Sequence, residues 1–166
     1  TVKIGVGSEL EILAAIASIR LEAGAYPGWV AETASKSVFS CYNVANTRVD
    51  GYDILVNKPK SNAYRAPGAP QVTFAVESVI DEICETMGWD SLEFRLTNAS
   101  KEGTRRVDSP RLLKIGVRET LEAALYTEGG VTYLSNAANP NLTTVIRVPI
   151  VNAPITLEYV LRSPTF

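Results

Sequence analysis

The residue with the clearest chemical potential is Arg65, in the segment KPKSNAYRAPGAP that spans 58–70. Three prolines and a glycine in thirteen residues rule out regular structure there. The segment runs into a predicted helix, whose first N–H groups and positive dipole end form a natural seat for an anion or oxo group. Arg65 adds a fixed positive charge with a planar fork of donors, and Tyr64 beside it offers a flat ring. On the residues alone the plainer reading is stronger: Pro67, Gly68 and Pro70 shape a turn, and Arg65 pairs with a surface carboxylate. Other chemistry is excluded outright. The chain has no histidine, which removes Ser-His-Asp and Cys-His catalysis, HExxH zinc sites and an imidazole base. Cys41 and Cys84 stand far apart without companion ligands, so they are read as two buried free thiols, with a disulfide as the alternative.

Carboxylate groupings carry little. Glu9 and Glu11 lie on one strand face or straddle a helix, and Asp81, Glu82 and Glu85 read as a solvated helix face. Gly5, Gly7 and Gly24 form no phosphate-binding fingerprint. Asn98-Ala-Ser100 and Asn141-Leu-Thr143 fit the glycosylation pattern, but nothing indicates secretion, and both are discounted. Acids and bases are interspersed around a net charge of −2, so nucleic acid is a poor partner. No apolar run nears the roughly 20 residues that cross a bilayer, and a cytoplasmic location is expected. The chain begins at Thr1 without a methionine, which leads us to expect a processed or excised polypeptide.

The elements that must position Arg65 read as α+β. Strands are mixed or antiparallel; a long amphipathic helix covers about 70–88, with shorter helices and a β-rich C-terminal tail. Val2–Val6 is a short apolar segment, with Gly7-Ser8 as a turn. Glu9–Ala23 is rich in helix formers, yet at period two its apolar residues fill both faces, as in a strand buried on both sides. Strand and helix are balanced there on local evidence. Residues 29–41 read as a short helix with Val30, Ala31, Ala34 and Val38 inward. Thr47–Asn57 reads as a strand with Gly51 as a possible bulge.

In the long helix Pro70 occupies the first turn, and Phe74, Ala75, Val79, Ile80, Ile83, Cys84 and Met87 form the apolar stripe. Gly88 closes it in the left-handed conformation, Trp89 folds back, and Asp90 caps a second helix, Ser91–Asn98. A charged loop, Lys101–Arg106, precedes a weaker helix around Arg118–Tyr126. Val131–Leu134, Leu142–Val148 and Ile155–Leu161 suggest an antiparallel meander. Two regions are expected: 1–126 and 127–166.

Segments in a fixed order carry a resemblance. They are NAYRAPGAPQ (62–71), FAVE (74–77), Asp81-Glu82, MGWD (87–90) and LEFRLTN (92–98), with AGAYPG (23–28), CYNVANTR (41–48), GYD (51–53) and KEGTRR (101–106). Together they resemble the large subunit of the molybdenum hydroxylases: xanthine dehydrogenase, aldehyde oxidase and carbon monoxide dehydrogenase. The match covers about residues 2–125, and it tips Val2–Ala23 towards a hairpin.

The resemblance implies a molybdenum atom on a pyranopterin dithiolene, oxidative hydroxylation of an aldehyde or heterocycle, and electron transfer to iron–sulfur clusters and usually FAD. It implies that Tyr64, Arg65 and Ala66 line the molybdopterin pocket, with Gly68 and Gln71 completing the loop and helix start. Pro67 stands where purine-oxidising relatives place a phenylalanine and Thr33 where they carry an arginine, so a substrate other than xanthine is implied. The glutamate base of the family, in a Gly-x-Gly-Glu context, has no counterpart here, and no residue is assigned as catalytic. The partners implied are the rest of the large subunit and the iron–sulfur and FAD subunits or domains. The isolated chain is expected to be inactive and to self-associate, as a dimer more than a monomer. Whether it holds the cofactor by itself stays open. The alternatives are a cofactor-free structural or interaction module and a small organic-anion binding domain.

Overall fold

A computed structural model describes the backbone of residues 1–108, 110–123, 125–128, 131–134, 145–148 and 159–160, and side chains up to residue 122. The chain divides into two compact units, Thr1–Ile115 and Gly116–Phe166.

The first unit is built on a three-stranded sheet in the order β1-β2-β3, from β1 (Val2–Val6), β2 (Ile12–Gly24) and β3 (Asn46–Leu55). β1 and β2 pair antiparallel, Val2 opposite Ala17. β3 returns parallel to β2, Ala14 opposite Asn46, after a crossover through α1 (Val30–Ser37). Glu9–Ala23 thus enters a strand in spite of its helix-forming composition, because a ladder on each side outweighs propensities worth a few tenths of a kcal/mol per residue.

The expectation of a strand buried on both sides is corrected. Ala15, Ala17, Ile19 and Ala23 face the core, whereas Leu13 and Ile16 are about half exposed. Small residues on the inner face let α1 and the next helix approach the sheet closely. Within the first unit the described helices lie on that face, and on the other side Arg20 lies over the Tyr52 ring, 5.7 Å from its centroid.

Gly51 is not a bulge. The sheet irregularities fall between Gly5 and Val6 and between Glu22 and Gly24. A Cβ on Gly51 would lie 2.2 Å from Ser35 Oγ, so the glycine lets β3 pass beneath α1.

α2 (Ala69–Met87) and α3 (Ser91–Asn98) complete the layer. The residues that α2 buries are Val72, Val76, Ile80 and Cys84, a strict four-residue row. The stripe expected from sequence is rotated by this result, for Phe74 is 77% exposed and Met87 half exposed. Apolar residues stand on more than one side of this helix, and packing on α1 and β1 selects which of them go inward.

Punctuation follows local rules. Gly88 closes α2 at φ 69°, and Trp89 N–H donates to Cys84 C=O. Trp89 stacks on Phe94, centroids 5.9 Å apart. Asp90 caps α3, accepting from the Leu92 and Glu93 N–H groups. Cys84 is buried and Cys41 exposed, both free, which corrects the expectation of two buried thiols.

The second unit contains α4 (Val117–Ala123) and four short strands in the order β4-β5-β6-β7, all antiparallel: Leu125–Glu128, Val131–Leu134, Val145–Val148 and Tyr159–Val160. Parts of the sequence-based strands, 142–144, 155–158 and 161, lie outside the described residues, as does Asn141.

Candidate functional site

The segment between β3 and α2 returns past the end of β2 before it reaches Arg65. Ser61 N–H donates to Ala23 C=O and Ser61 Oγ to Glu22 C=O, while Lys58 Nζ lies 3.0 Å from Glu22 Oε2. These bonds anchor the entry, and from Asn62 to Ala66 the chain is exposed.

Two consecutive non-glycine residues then take left-handed backbone, Arg65 at φ 46° and Ala66 at φ 51°. Each costs of order 1–3 kcal/mol, so the surrounding contacts must impose them. The anchor on the far side is Gly68, at φ 93°. It is buried so closely against α1 that a Cβ would meet Val30 O at 2.8 Å and Ala34 N at 2.9 Å. Gln71 Oε1 accepts from Gly68 N–H at 3.0 Å, which fixes the turn to the helix start. The double left-handed turn between Ser61 and Gly68 pushes Tyr64 and Arg65 outward.

The result is a concavity of about 420 Å³ lined by Asn62, Tyr64, Arg65, Pro67, Pro70 and Gln71. Tyr64 is 93% exposed. Arg65 has no carboxylate partner among the described residues, so the surface ion pair favoured by the plainer sequence reading is not formed. The lining supplies a guanidinium, a phenol and two side-chain amides, and no acid. Such a donor-rich, acid-free set suits an anionic, oxygen-rich group.

The helix N-terminus contributes less than its sequence suggests. Ala69 N–H is spent on Ala66 C=O, and Pro70 has none to offer. The guanidinium, not the helix end, is therefore the main anion-attracting feature.

Of the sequence-predicted residues, Tyr64, Arg65, Pro67 and Gln71 come together around the concavity. Ala66 and Gly68 shape its backbone without lining it. Thr33 stands apart: it lies on α1, and its hydroxyl donates to Trp29 C=O at 3.1 Å. Asn62 and Pro70 line the space and were missed as site residues. The signal for Asn62 was its place in the same Pro-rich segment, and Asn62 Oδ1 accepts from Ala63 N–H to begin the turn. Among the described residues no trio of Cys, Asp or Glu is placed to hold a metal ion, and no helix is long and apolar enough to cross a membrane.

Comparison with known proteins bears on the same segment. Residues 1–99 match the family described as molybdopterin cofactor-binding domain. The chain is 45% identical over 67 residues to the xanthine dehydrogenase molybdenum-binding subunit of Escherichia coli O157:H7, covering 40% of this chain and 9% of that protein. It is 30% identical over 107 residues to the nicotinate dehydrogenase large molybdopterin subunit of Eubacterium barkeri, covering 62% of this chain and 25% of that one. Among solved structures, the aldehyde oxidoreductase from Desulfovibrio gigas superposes with TM-score 0.66 at 23% identity, over 74% of this chain and 14% of the other. An aldehyde oxidoreductase from Desulfovibrio desulfuricans ATCC 27774 gives 0.60 at 26% identity, over 68% and 13%. The chain spans no more than about a quarter of the length of these relatives.

Proposed function

The chain belongs to the molybdopterin cofactor-binding domain family, and on that premise we propose that it is part of the large subunit of a molybdenum hydroxylase, to which it contributes the loop 62–71 as one wall of the cofactor pocket. The observation that carries the reading is Arg65: a guanidinium without a carboxylate partner among the described residues, held outward by left-handed backbone in an acid-free concavity. Strained backbone that presents an unpaired charge is characteristic of ligand-binding positions.

When bound, the cofactor supplies a molybdenum centre at which oxygen from water enters a C–H bond of an aldehyde or N-heterocycle, with electrons leaving to iron–sulfur and flavin groups. The chain's own residues bind and orient. Arg65 donates in a fork to anionic oxygen, and the Gln71 amide N–H₂ remains available once its carbonyl oxygen is taken by Gly68. The exposed Tyr64 ring covers a flat surface and keeps water from it. Ala66, with no side chain beyond Cβ, leaves room beside Arg65, and Gly68 seats the loop on α1.

Pro67 faces the substrate side. Its small rigid ring offers no aromatic face, which disfavours a stacked purine and suits a smaller aldehyde or single-ring heterocycle. Thr33 lies on α1, against which Gly68 packs but outside the concavity, and it joins the substrate side only when further chain of the subunit closes over that helix. The sheet face with Ile16, Tyr52 and Ile54, all exposed, supports assembly with further chain of the subunit, since such apolar surface is costly to leave in water.

Intact mass with molybdenum analysis on the same sample tests the reading. These residues are expected in a polypeptide well above 18.0 kDa that carries stoichiometric molybdenum. An 18.0 kDa species that is stable, free of molybdenum and unable to take up the cofactor overturns it and leaves an interaction module. In the loaded protein, Arg65→Ala is expected to lower cofactor retention without changing the fold.

A further inference from the structure

A second concentration of positive charge lies downstream of α3, on residues that take no part in the 62–71 concavity. Lys101, Arg105, Arg106 and Arg111 all line one hollow of about 450 Å³, in a chain whose net charge is −2. Glu102 is the one acid in the lining. Arg106 pairs with Asp108 at 3.0 Å, while Lys101, Arg105 and Arg111 have no carboxylate partner among the described residues.

The backbone that holds them is tied at short intervals. Thr104 N–H donates to Lys101 C=O, and Lys101 N–H to Thr104 Oγ1 at 3.0 Å. The chain then folds back: Gly103 N–H meets Leu112 C=O, Leu112 N–H meets Thr104 C=O, and Arg106 N–H meets Pro110 C=O. Arg105 and Arg111 are thereby set opposite each other as an antiparallel bridge. Arg111 is oriented further, since its Nη1 donates to Gly103 C=O at 3.0 Å. Thr104 is buried beneath them, and Ser100 Oγ ties the preceding residue pair to Ser40 C=O.

Like charges held together on a fixed backbone repel, and the repulsion is relieved by a multivalent anion. A single carboxylate would neutralise one of three unpaired cations. Adjacent phosphate groups match them better, because guanidinium forks bind tetrahedral oxyanions bidentately and the ammonium adds a compact third charge. The volume is that of a small-ligand site and not of an extended polymer groove. We propose that the hollow formed by Lys101, Arg105, Arg106 and Arg111 binds a small organic ligand through two or more adjacent phosphate groups.

Inorganic pyrophosphate titrated calorimetrically into the full chain at fixed ionic strength is the direct probe. One saturable site is expected, weakened at least threefold by Arg105→Gln and at least tenfold by Arg105→Gln with Arg111→Gln. Lys3→Gln, on β1, serves as the distant control and is expected to bind as the parent does. Arg105 is exposed and acts in the bridge through its backbone, so its single variant is expected to unfold at the parent's midpoint. Three outcomes overturn the proposal: absence of saturable binding, displacement by an equal concentration of inorganic sulfate, or binding that survives the double variant. Loss on Arg65→Ala in place of Arg105→Gln would assign the anion to the 62–71 loop. Tighter binding of a glutamate-rich peptide than of pyrophosphate would assign the surface to an acidic protein segment.

Discussion

The loop at 62–71 and the junction where α3 meets the sheet treat their polar groups in opposite ways. In the loop, Tyr64 and Arg65 project into solvent with their donors unspent, over two left-handed residues. At the junction nearly every polar atom is used. Asn98, 4% exposed, accepts from Ile12 N–H through Oδ1 and donates through Nδ2 to Leu10 and Phe94 C=O, while its own C=O accepts from Asn43 N–H. One side chain thus ties the β1–β2 connection to α3. Nearby, Glu77 takes the Tyr42 phenol on one oxygen and Arg95 Nε on the other, and Arg95 reaches Asp81 as well. The contrast teaches where stability and function part company: satisfied buried groups hold the fold, and unsatisfied exposed ones are available to a ligand.

The comparison breaks most decisively at Asn98. Asn98→Ala leaves the Ile12 N–H and Leu10 C=O without partners in the core, and an unfolding free energy lower by about 3 kcal/mol is expected in denaturant titration. A loss below about 1 kcal/mol would mean that water or backbone movement replaces the side chain.

Glu77→Ala comes next. It strips Tyr42 of its acceptor and leaves the half-buried Arg95 with Asp81 and the Ser91 C=O, at an expected cost of about 2 kcal/mol. A double-mutant cycle with Tyr42→Phe is expected to show coupling above about 0.5 kcal/mol, and strict additivity would dissolve the network.

Alkaline pH sharpens the same point. Burial foremost, then the bond to the Glu77 carboxylate and its negative charge, push the Tyr42 phenol well above its ordinary value. A raised folded value favours the neutral form, so this contribution is complete below the unfolded pKa near ~10 and declines as pH rises past it. The stability advantage of the parent over Tyr42→Phe is expected to narrow by about 1 kcal/mol between pH 9 and pH 11. A constant difference would mean that the phenol ionises as easily in the fold as outside it.

At the loop the effects on stability are small. Ala66→Gly removes the left-handed penalty against a larger loss of chain entropy and is expected to gain a few tenths of a kcal/mol, whereas Arg65→Ala stays within about 0.5 kcal/mol of the parent. A loss above about 1 kcal/mol at either position would make the loop part of the structural framework.

Much of this was legible beforehand because its causes are local. Gly88, Asp90 and Pro70 act within a turn of their own positions, and the ends of α2 and α3 were read to within a residue, whereas α1 stops at Ser37 instead of 41 and α4 at Ala123, with Leu125 and Tyr126 already in β4. The site loop was found from its prolines and the order of its neighbours. The structural role of Asn98 is not visible beside its discounted glycosylation pattern, since two of its partners lie 86 and 88 residues away and leave no mark on its own neighbourhood. The part Glu77 plays is equally hidden, because helical periodicity does not know that α3 brings an arginine against that side.

The sequence by itself determined the α+β class, the family resemblance and which residues could meet an anion, because composition, capping and motif order are written in short stretches. Only the tertiary structure decided that β2 is a strand exposed on one face, that α2 turns Val72, Val76, Ile80 and Cys84 inward, and that Thr33 stands outside the loop's concavity. Those outcomes depend on which surface another element covers, and that is settled by contacts between residues far apart in the chain.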